Sequence, residues 1–194
     1  MTGALAPVAV GFFGLGTGYL VWGGSALTGF PKEKGRDYEK SMGLWGVWMP
    51  GFCQFFAGVY LFLGLTVFPA FEGSPVLYMA ALAFTVFGIH WFSMGWRRYI
   101  GADATPDGFM AIAFLWISLV GAYVFFTASP ADVPVAIVFV FLTFVYLCEV
   151  PARLLRSAAW SRGVATVQVL GGAWLMYLTL AAAANFANGA HFWL

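Results

Sequence analysis

The chain has 194 residues, of which 62% are hydrophobic and 9% are charged, and its formal net charge is +1. Because a soluble domain typically carries about 25% charged residues, this composition excludes an ordinary water-soluble fold. The near-neutral charge and the lack of a basic tail give no reason to expect a nucleic-acid partner.

Six long apolar stretches follow one another along the chain, each close to the roughly 20 residues that a helix needs to cross a bilayer. They predict an all-α membrane protein, a six-transmembrane-helix bundle formed by a single polytopic domain. The predicted spans are about 6–29, 43–68, 76–96, 108–128, 133–152 and 164–187. Breaks at Pro31, Pro69 and Ser129-Pro130 support the gaps between them.

Basic residues occur only after the first, third and fifth stretches. They are Lys32, Lys34, Arg36, Lys40, Arg97, Arg98, Arg153, Arg156 and Arg162. The loops after the second and fourth stretches carry Glu72 and Asp132 and no basic residue. The positive-inside rule therefore predicts an inner or plasma membrane protein with cytoplasmic basic loops and both termini outside.

Small residues are frequent in the first span, where Gly14 and Gly18 form a GxxxG pair. Such pairs let helix backbones approach closely, either within one subunit or between subunits. The pattern fits an oligomerising bundle without distinguishing these two arrangements.

Polar side chains are rare inside the predicted spans, where they are costly unless they face a partner or a water-filled cavity. Those considered as candidates are Gln54, Thr85, His90, Ser93, Thr143, Glu149 and Gln168. They include neither a cluster at metal-ligand spacing nor a nucleophile–base pair. We therefore expect no metal site, no cofactor and no enzymatic activity.

Three of these residues allow more than one interpretation. His90 either orients a small polar solute in a pore or forms a hydrogen bond between helices. Glu149 either pairs with Arg153 one turn later or faces a solute. Gln54 either bridges helices or lines a path, and the sequence does not distinguish these.

Short motifs in four spans resemble the acetate uptake transporter family, which includes the bacterial succinate–acetate permease. They are Ala4-Leu5-Ala6-Pro7 with Phe12-Phe13-Gly14, Gly51 to Gly58 (like Gly-x-x-Gln-x-x-Ala-Gly), Ala83 to Trp91 (like Ala-Phe-Thr-x-Tyr-Gly-x-Phe-Trp), and Phe141-Leu142-Thr143. Three features depart from the family: its Asn-Pro start is missing, Phe87 and His90 replace a tyrosine and a phenylalanine, and the basic loops have the opposite sense.

This resemblance implies a six-helix protomer with a central pore and a hexameric homo-oligomer. It also implies a hydrophobic constriction formed by Phe13, Phe87 and Leu142. Gln54, Thr85, His90 and Glu149 are then the polar candidates for lining the pore.

A second resemblance, to the urea/amide channel family, fits the predicted orientation. Phe84-Thr85 is followed by Trp96-Arg97-Arg98-Tyr99, and Leu142 with Glu149 is similar to that family's pairing of a constriction leucine and a glutamate. The tryptophan-rich filter of those channels is absent from the fifth span.

The function predicted from these patterns is a membrane channel or transporter for small monocarboxylates such as acetate, coupled to a proton because an apolar pore penalises a bare anion. The first alternative is a channel for urea or short-chain amides. The second is a non-transporting membrane subunit that scaffolds a partner complex.

Overall fold

A computed structural model describes residues 3–71 and 73–194; Glu72 lies outside them. Six long helices are joined by short loops: α1 (Ala9–Thr28), α2 (Arg36–Thr66), α3 (Leu77–Ile100), α4 (Thr105–Thr127), α5 (Val133–Leu154) and α6 (Ala158–Asn188). A short 3-10 helix, Gly3–Val8, precedes α1. The prediction of an all-α, six-helix fold is confirmed.

Five of the helices, α2 to α6, are long and apolar enough to cross a membrane, and the chain is a multi-pass integral membrane protein. Helix α1 has 20 residues, but six glycines among them lower its hydropathy. Helix α2 begins at Arg36 and α6 at Ala158, several residues before the predicted spans. These extensions carry polar residues, which a helix can accommodate beyond the apolar layer.

The helices pack as neighbours in three pairs, α1 with α6, α2 with α3 and α4 with α5, while α5 also lies along α6. Backbones approach closely between α2 and α3: a Cβ atom at Gly88 would lie 2.6 Å from the backbone nitrogen of Phe55. A Cβ at Gly18 would meet the ring of Pro50 at 2.7 Å. The GxxxG pair predicted in α1 therefore packs against α2 of the same protomer.

Helix α2 contains one irregular turn, the π-helical segment Val47–Gly51. Its cause is Pro50, which has no backbone N–H to donate and cannot continue the regular hydrogen-bond ladder. Such π-turns frequently occur at functional sites. Here the turn leaves the carbonyl oxygen of Pro50 to accept a hydrogen bond from the side chain of Gln54, at 3.0 Å.

The basic segments meet at one end of the bundle, called here the basic end. Arg98 Nε lies 2.6 Å from Glu39 Oε2, and its guanidinium stacks over the ring of Trp22 at 4.7 Å. Arg156 lies 3.8 Å from Asp103. These contacts tie the loop after α3 to the loop after α5, and α3 to the first turn of α2.

Candidate functional site

A cavity of about 370 Å³ opens at the end of the bundle opposite the basic end. Its walls come from α1, α2, α3, α5 and α6, with one residue of α4, the 3-10 helix and the C-terminal segment. Most of the wall is apolar, and its aromatic and leucine side chains include Phe12, Phe84, Phe87, Phe125, Phe139 and Leu142. The cavity is large enough for a small organic solute and offers it few polar partners.

Gln54, in the middle of α2, lies in the wall of this cavity. Its side chain is fully buried, and Nε2 donates to the Pro50 carbonyl. Because a carbonyl only accepts hydrogen bonds, this contact fixes the orientation of the amide. Oε1 is then a buried acceptor with no partner among the described residues. A buried acceptor without a hydrogen bond lowers the stability of the fold unless a donor reaches it.

Asp132 is a second polar group in the cavity wall, at its mouth. It caps α5, and its Oδ1 accepts a hydrogen bond from the backbone N–H of Val135 at 3.1 Å. Burial raises the pKa of this carboxyl, although the hydrogen bond from Val135 opposes the shift. Sequence reasoning used Asp132 only as a loop charge. The sequence does contain a signal for this cap, because Asp132 directly precedes Val133-Pro134, and Asp followed by Pro in the first turn is typical of a helix N-terminus.

The structure brings together two of the three predicted constriction residues. Phe87 and Leu142 are buried and line the cavity floor. Phe13 does not line the cavity, because its side chain lies on the outer surface with 38% exposure. Phe12 lines the cavity instead and packs against Phe84 with ring centroids 5.4 Å apart. Successive side chains on a helix point about 100° apart. Aligning the family motif one residue too late therefore selects a side chain on the wrong face of α1.

Thr85 contributes no free polar group to the cavity. Its hydroxyl donates to the carbonyl of Ala81 one turn earlier, at 2.8 Å. This back-bond is ordinary for a threonine in an apolar helix. Its neighbour Phe84 lines the cavity, while Thr85 lies against Gly58 at the α2–α3 seam.

Four rings, beginning with Phe87 at the cavity floor, form what we call the aromatic layer: Phe87, His90, Phe114 and Tyr146. Phe87 and Tyr146 are stacked with centroids 5.8 Å apart and planes 7° apart. Phe114 lies 4.3 Å from His90 and 5.4 Å from Tyr146. The layer joins α3, α4 and α5 and lies between the cavity and the basic end.

His90 lies inside this layer and does not line the cavity. Its Nδ1 is 3.3 Å from the sulfur of Met110. A thioether sulfur cannot donate a hydrogen bond, so this contact favours the tautomer with the proton on Nδ1. Nε2 is then a buried acceptor without a partner among the described residues. It is the second free acceptor on the route from cavity to basic end.

Two ion pairs lie beyond the aromatic layer, and we call them the inner ion pairs. Glu149 Oε1 accepts a hydrogen bond from Arg153 Nε at 2.8 Å, the helical pairing considered in the sequence. Arg97 on α3 lies 2.5 Å from Asp107 on α4, a pairing that the sequence did not indicate. Both carboxylates are buried. The ion pairs therefore form a charged layer between the rings and the loops.

Among the residues that the structure describes, no group of three or more His, Cys, Asp or Glu side chains is placed to hold a metal ion. Cys53 and Cys148 are free thiols. The cavity wall is mostly apolar, and its polar residues are Gln54, Asp132 and Asn185.

In sequence comparisons, no protein-family model and no curated protein matches the chain. In a structural comparison, the fold is similar to a solved structure of the bacterial acetate channel SatP, with a TM-score of 0.70. The likeness covers 94% of each chain at 18% sequence identity. The resemblance to the succinate–acetate permease family noted in the sequence is thus confirmed at the level of the fold, and the protein has the six-helix fold of that acetate channel.

Proposed function

We propose that the chain conducts small monocarboxylic acids such as acetic acid across the membrane, in their neutral, protonated form. The observation that carries this proposal is an apolar cavity whose wall includes Gln54, a buried side chain with an acceptor oxygen that is unpaired among the described residues. The fold shared with the acetate channel SatP supports the same solute class.

The cavity chemistry favours a neutral donor over an anion. Its polar lining consists of Gln54, Asp132 and Asn185, and no basic residue of the described chain lines it. A carboxylate would meet an acceptor oxygen at the floor and a second carboxylate at the mouth. A protonated acid carries an O–H that Gln54 Oε1 accepts. Because the solute brings its own proton, proton-linked flux does not require a side chain that exchanges a proton with it.

The barrier in this proposal has two parts. Phe12, Phe87 and Leu142 form the hydrophobic constriction at the cavity floor, with Phe12 in the position expected for Phe13. The aromatic layer follows, where His90 Nε2 offers a second acceptor. Phe87, His90 and Tyr146 are buried and in ring contact, so conduction along this path requires them to move apart.

The same acceptors also suit the N–H groups of urea and short-chain amides, which makes an amide channel the second candidate. Gln54 Oε1 and His90 Nε2 are free acceptors that do not discriminate an O–H from an N–H donor. A urea path would show no dependence on the protonation of the solute.

We also infer that the basic end faces the cytoplasm and that the protomers form a homo-oligomer. The gathering of the basic segments at one end of the bundle supports the orientation. The motif resemblance favours a hexamer. Crosslinking in native membranes followed by mass measurement would test the assembly, and accessibility of single cysteines in the loops would test the orientation.

Uptake into liposomes tests the proposed function. Purified protein would be reconstituted, and labelled acetate and urea uptake would be measured side by side at pH 5.5 and 7.5. Protein-free liposomes correct for the acid that crosses the bilayer unaided. Acetate flux above that background, greater at the lower pH and without urea flux, is expected. Urea flux would favour the amide channel, and the absence of both would contradict both candidates.

A further inference from the structure

The C-terminal segment turns back along α6 and contributes two residues, Phe192 and Leu194, to the cavity wall. Helix α6 ends at Asn188, and Gly189 adopts a left-handed conformation with φ of 65°, which only glycine takes at little cost. The backbone N–H of Ala190 then donates to the carbonyl of Ala184. We call residues 189–194 the C-terminal strap. The reversal at Gly189 directs the strap along α6 toward the cavity.

The strap is held by a small set of polar contacts. The side-chain amide of Asn185 forms two hydrogen bonds with the backbone of Phe192. Its Nδ2 donates to the carbonyl at 2.9 Å, and its Oδ1 accepts from the N–H at 2.8 Å. The hydroxyl of Tyr177 donates to the carbonyl of Trp193 at 3.0 Å. The ring of Trp193 meets that of Trp174 edge-on, with centroids 6.0 Å apart. Asn185 is thus the main latch, and Tyr177 is a second one.

The latched strap forms part of the cavity wall. Phe192 and Leu194 line the cavity together with Asn185, and Leu5 and Val8 of the 3-10 helix line it too. Phe192 nevertheless remains 54% exposed. A segment with little buried apolar surface and exposed hydrogen bonds opens at low free-energy cost.

We propose that the C-terminal strap is a hinged lid on the cavity mouth, with Gly189 as hinge and Asn185 and Tyr177 as latches. Opening breaks the three side-chain hydrogen bonds and withdraws Phe192 and Leu194 from the wall, which admits solute. The lid function rests on the proposed transport role for its biological purpose, but the opening itself is a property of the fold.

Thiol accessibility tests the lid without any transported solute. Val138, buried in the cavity wall, would be replaced in V138C, with Cys53→Ala and Cys148→Ala leaving a single thiol. The protein would be held in lipid nanodiscs and labelled with a charged, water-soluble methanethiosulfonate reagent. Asn185→Leu removes two hydrogen bonds at similar volume, so the labelling rate should rise about tenfold.

Two further variants make the result decisive. Tyr177→Phe removes one latch hydrogen bond and keeps the ring, so it should raise labelling by a smaller factor of about three. Asn188→Leu changes an exposed amide of the same helix and should leave the rate unchanged. Equal labelling in all variants would overturn the lid, whatever the flux assays show. Faster labelling in a protein that moves neither acetate nor urea would support the lid while contradicting the proposed function.

Discussion

Helices α3 and α5 carry apolar side chains toward the cavity end of the bundle and charged side chains toward the basic end. Toward the cavity end, α3 and α5 present Phe84, Phe87, Phe139 and Leu142 to an open, apolar space. Toward the basic end, the same two helices present Arg97 and Glu149 to ionic partners in closed contact.

This difference shows how one bundle separates solute selection from structural closure. The cavity half leaves an acceptor, Gln54 Oε1, without a partner among the described residues. Such an acceptor can receive a hydrogen bond from a solute. The basic half pairs its buried carboxylates with arginines, which is the condition for stability in a low-dielectric interior. Substitutions in the cavity half should therefore change flux, and those in the basic half should change stability.

The largest effect is expected in the basic half. Arg97→Met leaves the carboxylate of Asp107 buried without its partner, which should lower the free energy of unfolding by about 3 kcal/mol. The double variant Arg97→Met/Asp107→Leu should recover most of that loss, because no charge is left buried. Thermal unfolding in detergent would measure both. A double variant as unstable as the single one would show that the pair is needed for its geometry.

The next effect belongs to the cavity half. Gln54→Leu removes the acceptor at the cavity floor, so acetate flux at pH 5.5 should fall about tenfold, the equivalent of one hydrogen bond. Gln168→Leu is a matched control, since Gln168 is a second buried glutamine that does not line the cavity. Equal flux in the two variants would remove Gln54 from the proposed path.

Neighbouring phenylalanines on α1 test which face of that helix meets the solute. Phe12→Ala widens the cavity floor and should raise flux several fold. Phe13→Ala changes an exposed outer position and should leave flux near that of the unmodified protein. The reverse ranking, measured in the same liposome assay, would restore Phe13 as the constriction residue.

The smallest effect concerns the mouth of the cavity. Burial raises the folded-state pKa of Asp132, so its charge costs stability above that pKa, and the cost shrinks as pH falls from that pKa toward the ordinary aspartate value. Asp132→Asn keeps a capping oxygen but carries no charge. The variant should gain less than about 1 kcal/mol over the unmodified protein at pH 7.5 and lose this advantage on acidification. A difference that stays constant from pH 7.5 down to the ordinary aspartate pKa of 3.8 would contradict this account.

Hydropathy and charge order were enough to predict the number and type of helices. A run of about 20 apolar residues has few alternatives to a membrane helix, since every backbone polar group must be satisfied within it. The Glu149–Arg153 pair was also open to prediction, because residues four apart meet on any helix. Such features depend on local sequence alone, and so the amino-acid sequence by itself determined them.

The cavity and its neighbours depended on contacts between distant segments, which a single sequence does not specify. Only tertiary packing decided that Phe12 faces inward, that Arg97 pairs with Asp107 and that Asp132 lines the mouth. The same holds for the strap, where Asn185 recognises the backbone of Phe192. Rotation of a helix about its own axis and the path of a loop are set by which faces pack together. That packing is a property of the whole bundle and leaves no local pattern in the chain.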